Sequence, residues 1–258
     1  MITSTQNPKL KLVRALAGRP KERREAGAFL AEGARLVEEA LSAGWPIRFA
    51  LYAQGLSDRS AQTVEALARA GVEAESVEAA LFHSVSETEH SQGILAVMEL
   101  STIPAPPRPS FTLLLDQIRD PGNLGTLLRS AQAAGVESAL IPPETTDPFA
   151  PKVVRAGMGA HFRLPIERLG WDEIRARLEK TPVYLAETED AVSCWQADFR
   201  SALALIVGSE AEGASPEARQ LATQNVIVPM PGGMESLNAA VAGSVLMFEV
   251  VRQRSLKS

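Results

Sequence analysis

Three stretches of this sequence combine glycine-bearing turns with side chains that can act on a bound molecule. DPGNLGTLLR (120–129) holds Asn123 and Arg129, VGSEAEGAS (207–215) holds Glu210, and VPMPGGMESLN (228–238) ends in Ser236 and Asn238. Amides and hydroxyls fix the orientation of a ligand, a carboxylate can orient either of them, and a guanidinium presents a planar fork to phosphate. Glycine lets backbone N–H groups come close to whatever is bound. In the first stretch, Gly122 and Gly125 are expected to turn the chain into a helix at about 123–134, with Asn123 either capping it or pointing its amide into the site. No GxGxxG follows a strand, and neither GxxxxGK[ST] nor GxSxG occurs, so dinucleotide, P-loop and nucleophile-elbow chemistries have no carrier.

The elements around these stretches alternate. Apolar runs at 111–116, 138–141, 163–169, 183–188, 202–210 and 225–230 read as strands. Helices are expected at about 151–158, 172–180 and 216–222, with a long final one from Ser236 to Arg254. Nearly continuous apolar strands joined through helices give a parallel sheet covered on both faces, and such sheets bind ligands beyond their strands' carboxyl ends. All three glycine-bearing stretches fall there. The final helix is dense in small residues (Ala239, Ala240, Ala242, Gly243, Ser244), which predicts close packing on another element or another subunit.

Ahead of a proline-rich linker, STIPAPPRPS (101–110), residues 1–100 read as a smaller α/β domain. Its helices are expected at about 7–18, 34–43 and 59–70, and its strands at 47–53, 72–77 and 93–100. Net charge is −5, but residues 1–35 hold eight Lys or Arg against three Glu, so the rest of the chain is at −10. A basic block on an acidic chain is the footprint of a phosphate-binding surface, with Lys9, Lys11, Arg14, Arg23 and Arg24 as its candidates. One cysteine, Cys194, cannot form an internal disulfide, and no apolar run is long enough to span a bilayer. No secretory signal is evident, so a cytoplasmic protein is expected. The three histidines have no metal-ligand companions, no metal site is expected, and His161 reads as structural.

N-L-G-T-L-L-R (123–129), G-S-E-A-E-G (208–213) and V-P-M-P-G-G-M-E-S-L-N (228–238) resemble, in order and spacing, the three motifs of the SpoU or TrmH-type RNA ribose 2′-O-methyltransferases of the SPOUT superfamily. The resemblance covers 111–258. FLAEGARLVEEAL (29–41) is similar to the L30e-like RNA-binding domain that precedes the catalytic domain in many members. Ser209 departs from an asparagine common in the family, and Pro231-Gly232-Gly233 lies in a loop that varies there. The resemblance implies a SPOUT domain with a deep trefoil knot, S-adenosylmethionine as cofactor, RNA (ribosomal or transfer) as substrate, and a homodimer. It assigns Asn123, Arg129, Glu210, Ser236 and Asn238 to catalysis. Gly208, Val228 and Leu237 match cofactor-contacting positions, and Met230 lies beside them. A guanidinium keeps its proton up to a pKa above about 12, so positioning a phosphate beside the attacking hydroxyl suits Arg129 better than acting as general base. The alternative is a non-catalytic RNA-binding protein whose SPOUT domain serves only dimerisation; retention of Asn123, Arg129, Glu210 and Asn238 argues against it.

Overall fold

The computed structural model describes residues 1–88, 91–209 and 213–256, and the chain divides into two compact units. The first comprises Met1–Ser101 together with Phe149–Phe162. Its elements are α1 (Pro8–Ala17), α2 (Pro20–Ala26), β1 (Ala28–Glu32), α3 (Ala34–Ser42), β2 (Ile47–Ala53), α4 (Asp58–Arg69), β3 (Ala74–Val77), α5 (Ala79–His83) and β4 (Ile94–Glu99). The sheet order is β1-β4-β2-β3, antiparallel except for the β2–β3 pair. Leu10, Val13 and Leu16 recur along one face of α1 and bury against Leu30, Phe49, Leu51 and Val97 of the sheet.

The second unit, Thr102–Pro148 with Arg163–Ser258, contains β5 (Phe111–Leu115), α6 (Pro121–Ala133) and β6 (Ser138–Ile141). The segment α7 (Pro151–Gly157), with its following 3₁₀ turn, belongs to the first unit. The second unit continues with β7 (Ile166–Arg168), α8 (Trp171–Leu178), β8 (Val183–Ala186), β9 (Ala191–Ser193), β10 (Leu203–Val207), α9 (Pro216–Leu221), β11 (Gln224–Ile227) and α10 (Ala239–Ser255). Seven strands form one sheet in the order β7-β6-β5-β10-β8-β11-β9, and every neighbouring pair is parallel. Leu114, Leu140, Leu185 and Ile206 meet Ile174 and Leu178 of α8 and Ala218 of α9 on one face. On the other, α10 packs closely on α6: a side chain on Gly243 would place its Cβ 2.5 Å from Leu127 Cδ2 and 3.0 Å from Val207 Cγ2. The Ser130 and Ser244 hydroxyls hydrogen-bond across the same seam at 2.7 Å.

The sequence pattern puts Phe149–Phe162 in the C-terminal domain, and the structure corrects this. Phe149 and Phe162 pack their rings 5.1 and 6.4 Å from that of Phe29 on β1. Gly159 (φ 95°) comes so close to Glu39 that a Cβ there would lie 3.1 Å from its side chain. The basic α2, the buried β1 and the short β9 and α5 have no clear sequence signal. PKERREA has no apolar period, and a buried run of four is too short to distinguish strand from helix. Among the described residues no helix is long and apolar enough to cross a membrane.

Candidate functional site

The helix after β5 begins earlier than its sequence suggests. Pro121 takes the first helical position, and Asp120 is the N-cap, its Oδ1 accepting the Asn123 N–H at 2.8 Å. Gly122, Asn123 and Gly125 therefore lie inside α6, and Asn123 is not the cap. The aspartate wins because it sits one residue before a proline whose fixed φ suits the first helical position. With the cap supplied by Asp120, the Asn123 side chain turns to a distant partner, and its Oδ1 accepts a hydrogen bond from Asn238 Nδ2 at 3.1 Å.

The last helix starts later than expected, at Ala239, because Asn238 caps it through Oδ1, which accepts from Ala240 N–H (3.0 Å) and Val241 N–H (3.2 Å). Ser236 and Leu237 consequently stay outside the helix and join the wall of a cavity of about 330 Å³. That cavity opens beyond the carboxyl ends of β8, β10 and β11, where parallel sheets bind ligands. Gly208, Val228, Met230 and Leu237 line it together, with Val207, Val226, Ala242 and Leu246 adding apolar wall. Ser209, Ser236, Glu187, Thr188 and Glu235 add polar groups. Sequence reasoning does not single out Ala186, Glu187 and Thr188. Their signal is the end of an apolar strand, and that turn carries no glycine to draw attention to it.

Close backbone contacts mark the described residues that follow β10. Ser209 and Gly213 exchange backbone hydrogen bonds at 3.0 and 3.1 Å. A Cβ on Gly208 would stand 3.0 Å from Ala214 N, so backbone here meets backbone. Arg219 Nη2 holds Glu187 Oε2 at 2.9 Å, and this pair lies against Gly213. Glu210 lies outside the described residues. Arg129 is exposed on α6, and its side chain makes no hydrogen bond or ion pair among the described residues. Six residues at 1.5 Å rise place it about 9 Å along the helix from Asn123. Among the described residues no group of His, Cys, Asp and Glu could hold a metal ion.

Of the basic candidates, Lys11, Arg14 and Arg24 are exposed. Lys9 is engaged by Glu73 (2.6 Å) and Glu75 (3.0 Å). Burial alone would lower its pKa, but hydrogen bonds and charge from these two carboxylates outweigh that and raise it. Arg23 is 2% exposed and donates to Leu16 O (2.7 Å) and Gly18 O (3.0 Å). It closes the carboxyl end of α1, whose last carbonyls need donors, and so does not offer its guanidinium to a phosphate.

The sequence model of the SpoU rRNA Methylase family matches residues 110–248, and that of an MRM3-like substrate binding domain matches 7–96. The chain is 33% identical, over 97% of its length and 92% of the relative's, to the 23S rRNA (uridine(2479)-2′-O)-methyltransferase of Streptomyces viridochromogenes. It is 32% identical, over 96% and 98%, to the 23S rRNA (guanosine(2553)-2′-O)-methyltransferase RlmP of Bacillus subtilis. Among solved structures, the AdoMet-bound rRNA methyltransferase from Sinorhizobium meliloti superposes with a TM-score of 0.85 at 31% identity, covering 97% of each chain. The SpoU methyltransferase AviRb from Streptomyces viridochromogenes, in complex with AdoMet, gives 0.82 at 31%, covering 97% of this chain and all of that one. With α/β architecture, an all-parallel sheet in its second unit and these matches along nearly its whole length, the chain belongs to the SpoU rRNA methylase family.

Proposed function

We propose that this protein methylates a ribose 2′-hydroxyl of ribosomal RNA with S-adenosylmethionine, at the mouth of the cavity beyond β8, β10 and β11. One observation carries the reading: Asn238, between cavity-lining Leu237 and Ala239, reaches Asn123, so residues from the first and third motifs meet beside the cavity. The cavity's chemistry fits the cofactor. A volume of about 330 Å³ lies within the range of small-molecule sites, and its walls are apolar with a few polar groups, as an adenosine needs. Gly208 keeps the wall free of a side chain where backbone approaches backbone. Gly208, Val228, Met230 and Leu237 hold the adenosine.

S-adenosylmethionine supplies the electrophilic methyl group. The chain's own residues must place a poor nucleophile. Arg129 takes the phosphate next to the target ribose in its planar fork, which fixes the 2′-hydroxyl and electrostatically favours loss of its proton to solvent. The guanidinium stays charged throughout. Asn123 and Asn238, locked together, present amide edges to the ribose, Ser236 adds a hydroxyl, and Glu210 orients Arg129 or Asn123. Lys11, Arg14 and Arg24 of the first unit, an L30e-like RNA-binding domain, contact phosphates without reading sequence.

The second unit carries the trefoil knot of its superfamily, with α10 as the threaded element. The protein works as a homodimer. Val241, Val245 and Phe248, exposed at 50%, 39% and 49%, form an apolar stripe on α10 that a second copy would cover. It acts in the cytoplasm, where ribosomal RNA is found.

The test is transfer of labelled methyl from S-adenosylmethionine to unmodified 23S ribosomal RNA, with the product mapped by mass spectrometry. Arg129→Ala should abolish transfer and leave cofactor affinity, measured by calorimetry, within about threefold. Cofactor binding without any transfer to RNA would favour a non-catalytic RNA-binding protein. Near-normal turnover by Arg129→Ala would remove Arg129 from catalysis.

A further inference from the structure

Asp116 follows β5 and is fully buried, 0% exposed. Its backbone N–H donates to Val207 O at 2.9 Å, and its Oδ2 accepts the Ser215 N–H at 2.7 Å. Val207 directly precedes Gly208, Ser215 lies two residues after Gly213, and Gly208, Ser209 and Gly213 line the cavity. One residue at the end of β5 thus ties down the neighbours of Gly208 and of Gly213.

The acid is costly where it stands. Its Oδ1 is buried and has no hydrogen-bond partner among the described residues. Burial pushes its pKa up, the Ser215 hydrogen bonds pull it back, and Glu217 adds to the rise. A buried carboxylate with one oxygen unsatisfied costs free energy, and a neutral side chain could accept the same N–H without a charge. Stability does not account for an aspartate here. What the carboxylate adds is a short, charge-assisted bond, roughly twice as strong as a neutral one, to the residue that caps α9.

We propose that Asp116 is a positioning residue for the cofactor: it holds Gly208 and Gly213, through their neighbours Val207 and Ser215, in their ligand-receiving places before anything binds. The other fasteners act elsewhere. Ser209 and Gly213 bond to each other, and the Glu187–Arg219 pair supports Gly213 from the end of β8 and from α9. Asp116 alone among these joins it to the strand that leads into the first motif. The proposal rests on the cofactor reading of the cavity.

Hydrogen exchange and calorimetry on the full chain test it, with S-adenosylmethionine as the probe. In the cofactor-free protein the Ser215 amide should already be protected. Asp116→Ala should lose that protection and bind cofactor about tenfold more weakly, the equivalent of one charge-assisted hydrogen bond. The loss should fall in KM for the cofactor, with kcat at saturation within about twofold of the parent. Asp116→Asn keeps an oxygen acceptor of the same shape and should bring affinity back to within about threefold. A folded Asp116→Ala protein with unchanged cofactor affinity overturns the proposal and leaves the cavity's assignment standing. A Ser215 amide that becomes protected only when cofactor is added also overturns it, and this measurement needs no variant to fold. Failure of the unaltered protein to bind S-adenosylmethionine would overturn the cofactor reading, and the proposal with it.

Discussion

Asn238 Nδ2 donates to Asn123 Oδ1 at 3.1 Å across 115 residues of chain. The direction of this bond is fixed by the helix that follows. Asn238 Oδ1 is occupied by the N–H groups of Ala240 and Val241, so only its NH₂ can face Asn123. One amide therefore does two separable jobs: it caps α10 and sets the side-chain orientation of Asn123.

The two jobs should come apart on substitution. Asn238→Asp keeps the capping oxygen but cannot donate to Asn123. It should retain thermal stability close to that of the parent while methyl transfer falls by at least about tenfold. Asn238→Ala should lose both, with a stability cost of about 1 kcal/mol for the cap. Thermal unfolding and single-turnover methylation read the two separately. Full turnover by Asn238→Asp would mean that the amide pair is only a structural contact.

The same pair explains which parts of the site are legible in the sequence. Motif order brings Asn123, Ser236 and Asn238 to notice, and glycines mark the loops after β10 and β11. What the sequence conceals is competition between caps. Asp120 takes the N-terminus of α6 and Asn238 that of α10, which moves one helix start earlier than expected and the other later. These shifts let the Asn123 side chain bridge to Asn238 and let Ser236 and Leu237 line the cavity. The Glu187–Thr188 turn is invisible for a different reason. Its place in the wall follows from β8 lying between β10 and β11, a strand order that no local pattern encodes. The parallel strands are legible because short apolar runs recur between helical segments along 111–230; the charge-rich α2 has no such pattern.

Gly208 should tolerate no side chain. A Cβ there meets Ala214 N at 3.0 Å and Gly213 C at 3.1 Å, both backbone atoms that cannot swing aside. Gly208→Ala should therefore displace the loop and weaken S-adenosylmethionine binding by about tenfold or more, while Leu237→Arg should fill the cavity and abolish binding. Calorimetry at constant pH measures both. Wild-type affinity in either would place the adenosine elsewhere.

Asp116 gives stability a pH dependence of defined sign. Burial, reinforced by Glu217 and opposed by the Ser215 hydrogen bonds, raises its folded pKa above the ordinary 3.8. A carboxyl with a raised folded pKa holds its proton more readily in the native state. Its penalty is thus present at neutral pH and relieved as pH falls through the raised value. Asp116→Asn lacks the penalty at every pH. The stability of this variant relative to the parent should be greatest near neutrality and shrink steadily as acid is added. Urea unfolding of both proteins between neutral pH and the ordinary carboxylate range tests this. An advantage that grows on acidification would mean the native state favours the ionised form.

The basic block should divide into two classes. Lys11, Arg14 and Arg24 are exposed, whereas Lys9 is held by Glu73 and Glu75, and Arg23 is buried at the end of α1. Only the first class can release counterions from RNA without first breaking an ion pair or leaving the interior. On single-stranded regions each phosphate contact contributes about −0.7 to the log–log dependence of affinity on salt. Changing Lys11, Arg14 and Arg24 together to Ala should therefore flatten that slope by about two units. Lys9→Ala should leave the slope as it is and lower the melting temperature slightly, since Glu73 and Glu75 would lose their shared cation. Cofactor affinity should be unchanged in both proteins, because none of these residues lines the cavity. Filter binding of an rRNA fragment across a salt series supplies the slopes. An unaltered slope in the triple variant would reduce the block to a solvated face, and a flattened slope in Lys9→Ala would show that Lys9 leaves its two carboxylates to reach RNA.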